Sequence, residues 1–336
     1  MKILIYSAKD FEIPYLEKAN NDHHTLHYVA DRLSVDTAMM AIGFDGISIF
    51  SADDGSSKIL KLLKDFGVKF VALRSAGNDN VNIASATKLG LRITHTPKYS
   101  PNAIAEHAVA LTLALNRKLT LANKNVSDYN FSLSELIGFD LFKKKVGIIG
   151  AGRIGKVLIK IFKGFDCEVI VNDLKKEEAL SQNYAITFTD IDTLCSKCDL
   201  ILISVPLTTA THHLIDAVQI AKMKKGVMLI NIARGAIVNT AHVIDALDTK
   251  QIGYYGTDVY EREHGIFFYN HNRNRPNDPL LQRLLTHPNV LLTPHQAFAT
   301  DEALKNIAHD TINAFTLLEQ GESLPNELTA LIDNKG

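Results

Sequence analysis

Cysteine is scarce. Three residues, Cys167, Cys195 and Cys198, cannot build a disulfide framework in a chain of 336, and such usage suits a reducing, cytoplasmic compartment. Long apolar runs are missing as well. No stretch approaches the ~18 apolar residues of a membrane span, so no membrane partner is expected. The N-terminal MKILIYSAKDFE has an apolar run of only Ile3 to Tyr6, too short for the core of a secretion signal. Charge of one sign is also lacking: 36 basic against 37 acidic side chains leave a formal net charge of -1. That excludes a global basic field for nucleic acid and an acidic solvating tail. No internal repeat or low-complexity segment stands out. What remains is an ordinary globular composition, 46% hydrophobic and 22% charged, in a length that suggests two domains.

Short apolar runs rich in Ile, Val and Phe recur through the first hundred residues: KILIYS (2–7), TLHYVA (25–30), GISIFS (46–51), FVALRS (70–75) and LRITHTP (91–97). Helix-compatible stretches such as SSKILKLLKDFG (56–67) separate them. This βαβ rhythm predicts a parallel sheet covered by helices on both faces. Pro97 and Pro101 then interrupt it, and Ser100-Pro101 can cap a new helix. The segment that follows, 102–126, reads as one long helix, apolar on most sides through Leu115, as suits burial between domains or subunits. A second series follows: KVGIIG (145–150), CEVIVND (167–173), a weaker strand near 186–188, DLILISVP (199–206), GVMLINIA (226–233), YYGTDVY (254–260) and NVLLTP (289–294). That is a second doubly wound domain. An amphipathic helix carrying Leu304, Ile307, Ala308, Ile312 and Phe315 comes last, and residues 261–279 form the one long patternless loop.

Gly150-Ala151-Gly152-Arg153-Ile154-Gly155 fits G-x-G-x-x-G, comes directly off a strand, and opens a helix with apolar Ile154, Val157, Leu158, Ile161 and Phe162. Gly150 suits the tight turn, Gly152 lets backbone approach a pyrophosphate, and Gly155 lets helix pack on strand. The next strand ends at Asp173, whose carboxylate can accept from both ribose hydroxyls and would repel a 2′-phosphate. NAD is therefore favoured over NADP, although Lys175 and Lys176 lie close by.

Ligands of open parallel sheets bind outside the carboxyl ends of the strands. In the second series those ends carry Arg234, then Asp258 with Glu261 and Glu263, then His295. Alone, Arg234 also fits a structural ion pair. Together the residues suit reduction of a 2-oxo acid. A guanidinium holds the carboxylate bidentately, and an imidazole supplies the proton that the carbonyl takes up as hydride arrives. Glu263 can hydrogen-bond the far side of the ring and favour its acid form; by position, Glu261 remains open for the same task.

Several motifs in order, LRSAGNDNVN (73–82), YSPNAIAEHA (99–108), NFSLSELIGFDLF (130–142), VGIIGAGRIG (146–155), NIARGAIVN (231–239), DVYERE (258–263) and TPHQAF (293–298), resemble the D-isomer-specific 2-hydroxyacid dehydrogenases. Within that family the chain is similar to the fermentative NAD-dependent D-lactate dehydrogenases over nearly its whole length. The resemblance implies an α/β fold of two doubly wound parallel-sheet domains. A Rossmann NAD domain (100–297) would be inserted into a flavodoxin-like substrate domain (1–99 plus 298–336). It implies reversible NADH-dependent reduction of pyruvate to D-lactate, with Arg234 binding carboxylate, His295 as acid and base, and Glu263 rather than Glu261 as its partner. Ser75, Ala76 and Gly77 would offer backbone N–H groups to the substrate carboxylate. Tyr99 and Phe298 would line the pocket, with Phe50 as an aromatic wall. Gly150, Gly152, Arg153, Ile154, Gly155 and Asp173 would hold the cofactor, with Val205, Pro206 and Asp258 close to it. The family dimerises through the cofactor domain, so a homodimer or homotetramer is expected, with a small-molecule substrate and no nucleic acid.

Other features carry less. Cys195 and Cys198 form a lone C-x-x-C without a second pair and read as small buried residues. His23-His24 and His212-His213 read as surface pairs, His107 as structural, and no metal site is expected. Arg273 and Arg275 are diluted by Asn and Asp278, as in a solvated or subunit-contact loop. Two alternatives remain open: the same chemistry on bulkier 2-oxo acids such as 2-oxoisocaproate or phenylpyruvate, and an NAD-sensing protein resembling transcriptional corepressors.

Overall fold

Both alternating series become parallel sheets in the computed structural model, which describes residues 1–329. The chain divides into two compact units, one of residues 101–298, the other of residues 1–100 with those from Ala299 onward. The end of the expected substrate domain, 330–336, lies outside the described residues.

The discontinuous unit has five strands: β1 (Lys2–Ile5), β2 (Thr25–Tyr28), β3 (Gly46–Ile49), β4 (Phe70–Leu73) and β5 (Arg92–His95). All pair in parallel, in the order β2-β1-β3-β4-β5, the flavodoxin-like arrangement. The pleat sends successive side chains to opposite faces. Ile3 and Ile5 pack with Leu16, Phe315 and Leu318, whereas Leu4 packs with Ile47, Ile49 and Leu60. Helices Ile13–Asn20 and Asp301–Glu319 thus cover one face, and Ser57–Asp65 the other. Directly after β4 comes Arg74, which is fully buried. Its Nε and Nη2 each donate to the Glu12 carboxylate at 3.0 Å, Nη2 also to Tyr6 O at 2.8 Å, and Nη1 to Ser48 Oγ at 3.0 Å.

The continuous unit has seven strands: β6 (Lys145–Ile149), β7 (Glu168–Asn172), β8 (Thr187–Phe188), β9 (Leu200–Ile203), β10 (Val227–Asn231), β11 (Ile252–Thr257) and β12 (Val290–Leu292). They run parallel in the order β12-β11-β10-β9-β6-β7-β8. This is the dinucleotide-binding order with a seventh strand added at one edge. Every residue of β9 and β10 is buried, as expected of strands covered on both faces.

Three expectations change. The single helix over 102–126 is two helices, Pro101–Asn116 and Leu119–Ser127. Lys118 turns left-handed at φ 49°. Asn116 donates to Phe139 O at 2.7 Å and accepts from Phe139 N–H at 2.9 Å, so a distant segment holds the break. His24 is not at the surface: it is buried, while only His23 is exposed. His213 is partly buried, with a carboxylate partner described below. The three thiols are buried, and burial pushes Cys167 up to about 11 and Cys195 and Cys198 to about 12, which fits inert core residues. No helix among the described residues is long and apolar enough to cross a membrane.

Glu12→Ala would leave the Arg74 guanidinium buried without its carboxylate. The expected loss is about 3–5 kcal/mol, read from urea denaturation followed by circular dichroism. A loss below ~1 kcal/mol, ordinary for an exposed pair, would show that Arg74 does not depend on Glu12.

Candidate active site

The glycine turn joins β6 to the helix Arg153–Gly164. Gly150 has φ +101°, and a Cβ there would meet Val205 Cγ1 at 2.8 Å. A Cβ on Gly155 would stand 2.0 Å from Gly150 O, so turn and helix touch only because that side chain is missing. Gly152 differs: a Cβ there meets no protein atom within 4 Å. No neighbouring protein atom requires glycine at that point, and the open space suits a ligand that approaches the backbone closely. Gly152 is the N-cap, and Arg153, Ile154 and Gly155 form the first turn of the helix, whose N–H groups and dipole favour an anion.

Asp173 lies beside this turn. Its Oδ2 accepts from Ala151 N–H at 2.6 Å and its Oδ1 from Lys175 N–H at 2.7 Å. A carboxylate has about four acceptor sites, so capacity remains for two ribose hydroxyls. Lys175 and Lys176 are exposed. Val205 and Pro206 follow β9, which neighbours β6 at the point where strand order reverses. Ser204, which the sequence did not single out, donates to Gly150 O at 2.9 Å and ties the two strand ends together. These features fit a dinucleotide.

Arg234 follows β10 in extended conformation, with φ -141° and ψ 141°. Asn231 Nδ2 donates to its carbonyl at 2.9 Å, and its own Nη1 donates to Ala233 O at 2.9 Å. A Cβ on the next residue, Gly235, would lie 2.1 Å from the Tyr260 carbonyl carbon. The loops after β10 and β11 therefore meet backbone to backbone.

The loop after β12 carries His295. Its φ is +56°, a left-handed conformation uncommon for a residue with a Cβ. The constraint comes from Asp258, which sits just past β11 and is buried. Asp258 Oδ1 accepts from Thr293 Oγ1 at 2.6 Å and Gln296 N–H at 2.9 Å, Oδ2 accepts from Ala297 N–H at 2.8 Å, and Asp258 O accepts from His295 N–H at 2.7 Å. His107, from the helix Pro101–Asn116, reaches Thr293 Oγ1 with Nε2 at 3.0 Å. The Thr293 hydroxyl gives its proton to Asp258, so His107 Nε2 is the donor to it. Nothing in the sequence tied His107 or Thr293 to the His295 loop.

His295 Nδ1 is 2.8 Å from Glu263 Oε1, and Glu263 Oε2 accepts from Tyr260 N–H at 2.9 Å. Both oxygens are engaged, and His295 Nε2 is left as the outward nitrogen. Glu261 belongs elsewhere. It lies 2.6 Å from His213 Nε2 and accepts from Thr240 N–H at 3.0 Å. Burial raises its carboxyl, but hydrogen bonds from Thr240 and His213 more than offset this and hold it below the usual range.

The remaining expected residues lie on the other unit, apart from Phe298. The loop after β4 has three consecutive carbonyls engaged: Ser75 O with Thr96 N–H at 3.0 Å, Ala76 O with His95 Nδ1 at 2.9 Å, and Gly77 O with Ser75 Oγ at 2.7 Å. A trans peptide sets each N–H opposite the preceding carbonyl, so the N–H groups of Ala76, Gly77 and Asn78 aim the other way. Phe50 follows β3 at the strand-order reversal between β1 and β3. It is buried, and its N–H donates to Asp53 Oδ2. Tyr99 is half-buried, with its carbonyl accepting from Asn306 Nδ2 at 2.6 Å. Phe298, the last residue of the continuous unit, is buried.

A family model described as D-isomer specific 2-hydroxyacid dehydrogenase, NAD binding domain, matches residues 109–297. A D-lactate dehydrogenase of Escherichia coli K12 is 39% identical, covering 98% of this chain and 100% of its own length. A 2-hydroxyacid dehydrogenase homolog of Zymomonas mobilis is 39% identical with the same coverage. The apo structure of E. coli D-lactate dehydrogenase superposes with a TM-score of 0.87 at 38% identity, over 98% of this chain and 100% of that one. The Aquifex aeolicus D-lactate dehydrogenase complexed with NAD and lactic acid gives a TM-score of 0.88 at 29% identity, over 98% and 99%.

Two outcomes follow. Gly155→Ala must push the helix away from Gly150 O, and NADH affinity by fluorescence titration should fall about 5- to 150-fold, the equivalent of the ~1–3 kcal/mol of overpacking. Unchanged affinity would separate that contact from cofactor binding. Glu261 has a lower proton affinity folded than unfolded, so its contribution is complete above the ordinary carboxyl value of 4.5 and is lost as pH falls through the folded value. Glu261→Gln should therefore lower the urea midpoint at pH 7 and flatten its decline below pH ~4.5. Parallel acid limbs would refute that linkage.

Proposed function

The chain belongs to the D-isomer-specific 2-hydroxyacid dehydrogenase family, and from that premise we propose that it reduces pyruvate to D-lactate, reversibly. The observation that carries the proposal is the 2.8 Å pair of His295 and Glu263, at the sheet edge that also bears the glycine turn. NADH supplies the hydride. Arg234 holds the substrate carboxylate through its planar fork. His295 Nε2 donates a proton to the carbonyl oxygen, which becomes the hydroxyl, and takes it back in the reverse direction. Glu263 fixes the ring with its proton on Nδ1, which leaves Nε2 for the substrate. Asp258 positions the His295 loop and lies near the cofactor, as do Val205 and Pro206. Gly150, Gly152, Arg153, Ile154 and Gly155 hold the pyrophosphate, and Asp173 the adenosine ribose.

Residues 1–99 with those after 297 supply the substrate side. The N–H groups of Ser75, Ala76 and Gly77 serve the carboxylate, a reading supported for Ala76 and Gly77 by the carbonyls before them, which are turned to Thr96 and His95, and Phe50, Tyr99 and Phe298 narrow the pocket to a small 2-oxo acid. A homodimer or homotetramer is supported by exposed apolar Tyr129, Phe131, Leu133, Ile137 and Phe142 on one segment of the NAD-binding unit. A reducing, cytoplasmic location accords with the free thiols.

The test is oxidation of NADH with a panel of 2-oxo acids and a chiral assay of the product. Pyruvate should give D-lactate, and His295→Ala should slow turnover about 10²–10⁴-fold. Arg234→Gln should chiefly raise KM for pyruvate, because it removes a charge-assisted contact to carboxylate. Turnover only of longer 2-oxo acids would move the substrate and keep the mechanism. NADH binding without turnover of any would favour a sensor. Light scattering in line with gel filtration reads the oligomer, and a monomer would overturn that part.

A further inference from the structure

The discontinuous unit carries a cluster of donors that the dehydrogenase reaction does not use. It lies at the amino ends of β1 and β2, opposite the strand ends bearing Phe50 and Ser75. His23 and His24 precede β2, and Glu319 ends the helix Asp301–Glu319. One donor atom from each of the three lies within 4.8 Å of the others. His23 Nε2 is 3.0 Å, and His24 Nδ1 3.8 Å, from Glu319 Oε2. Donors around a tetrahedral ion with bonds of ~2.1 Å stand ~3.4 Å apart, a spacing these two distances bracket.

The proton arrangement also fits. Thr316 Oγ1 donates to Ile312 O at 3.2 Å, so it accepts from His24 Nε2, 3.1 Å away. On the other side of the ring, the Met1 ammonium is 3.3 Å from His24 Nδ1 and 2.7 Å from Glu319 Oε1. An ammonium has no acceptor, so Nδ1 presents its lone pair. His24 is thus a neutral Nε2–H tautomer, buried and held by an outer hydroxyl, the state in which a ligating histidine is oriented. The Met1 ammonium already marks the place as one that attracts a cation.

We propose that His23 Nε2, His24 Nδ1 and the Glu319 carboxylate bind a divalent transition-metal ion of the Zn²⁺ class, which displaces the Met1 ammonium. Two imidazoles and one carboxylate suit Zn²⁺ rather than the all-oxygen ligation of Ca²⁺ or Mg²⁺. His23 binds as the tautomer with its proton on Nδ1, which frees the Nε2 lone pair for the ion. The ion would tie the loop before β2 to the end of the helix Asp301–Glu319, and so stabilise this unit by binding only the folded chain.

The experiment titrates the full chain, stripped of metal by a chelator, with Zn²⁺ in competition with a chromophoric chelator, and follows the thermal midpoint in parallel. One tight equivalent and a raised midpoint are expected. His23→Gln and Glu319→Gln, both exposed and remote from the reaction site, should each weaken binding about 100-fold and abolish the thermal shift while NADH oxidation persists. Thr316→Val should weaken it by about 10–100-fold, as loss of an outer-shell partner does. No saturable binding to the unsubstituted chain would overturn the proposal. So would a tight equivalent that survives both exposed substitutions, which would belong to other histidines.

Discussion

A buried carboxylate governs the candidate site. Asp258 sits at the end of β11 and gathers the whole loop after β12, taking the Thr293 hydroxyl and the N–H groups of Gln296 and Ala297 on its oxygens while its carbonyl takes His295 N–H. These bonds hold His295 in a left-handed conformation that costs of order 1–3 kcal/mol. Without that clamp the ring would not be aimed at Glu263. Pro294 stops the strand, and Asp258 then turns the chain.

Sheet order adds the second layer of control. Parallel strands bring all carboxyl ends to one edge, and adjacency within the sheet decides which ends become neighbours. β10, β11 and β12 lie side by side, so Arg234, Glu263 and His295, scattered along the sequence, share an edge. The same topology places Ser204 against the glycine turn. Gly235 shows how close the loops come: its missing Cβ is what lets the chain after β10 touch Tyr260. Pre-ordering of this kind fixes the pair's geometry before any substrate arrives.

The other unit uses buried charge for a similar purpose. Arg74 is the residue before Ser75, and its bonds to Glu12, Tyr6 and Ser48 secure the chain just where the outward N–H groups begin. A buried pair of this kind is a poor source of net stability, because desolvation offsets most of the attraction. Its use here is to fix a position.

Periodicity, glycine spacing and residue order were legible without coordinates. The two βαβ series, the turn at Gly150, the acid at Asp173 and the polar residues at three strand ends follow from local sequence, because strands, turns and helix starts are decided by neighbouring residues. Matters depending on residues far apart in the chain were not legible. The choice between Glu261 and Glu263 rests on His213 and Tyr260. The break at Lys118 rests on Phe139. The roles of Thr293 and His107 rest on Asp258, and the burial of His24 on a helix that begins at Asp301. Sequence determined which chemical groups were carried and roughly at which strand ends. Tertiary structure alone decided which partner each charged group took, because a hydrogen bond is settled over about three ångströms of space, not by distance along the chain.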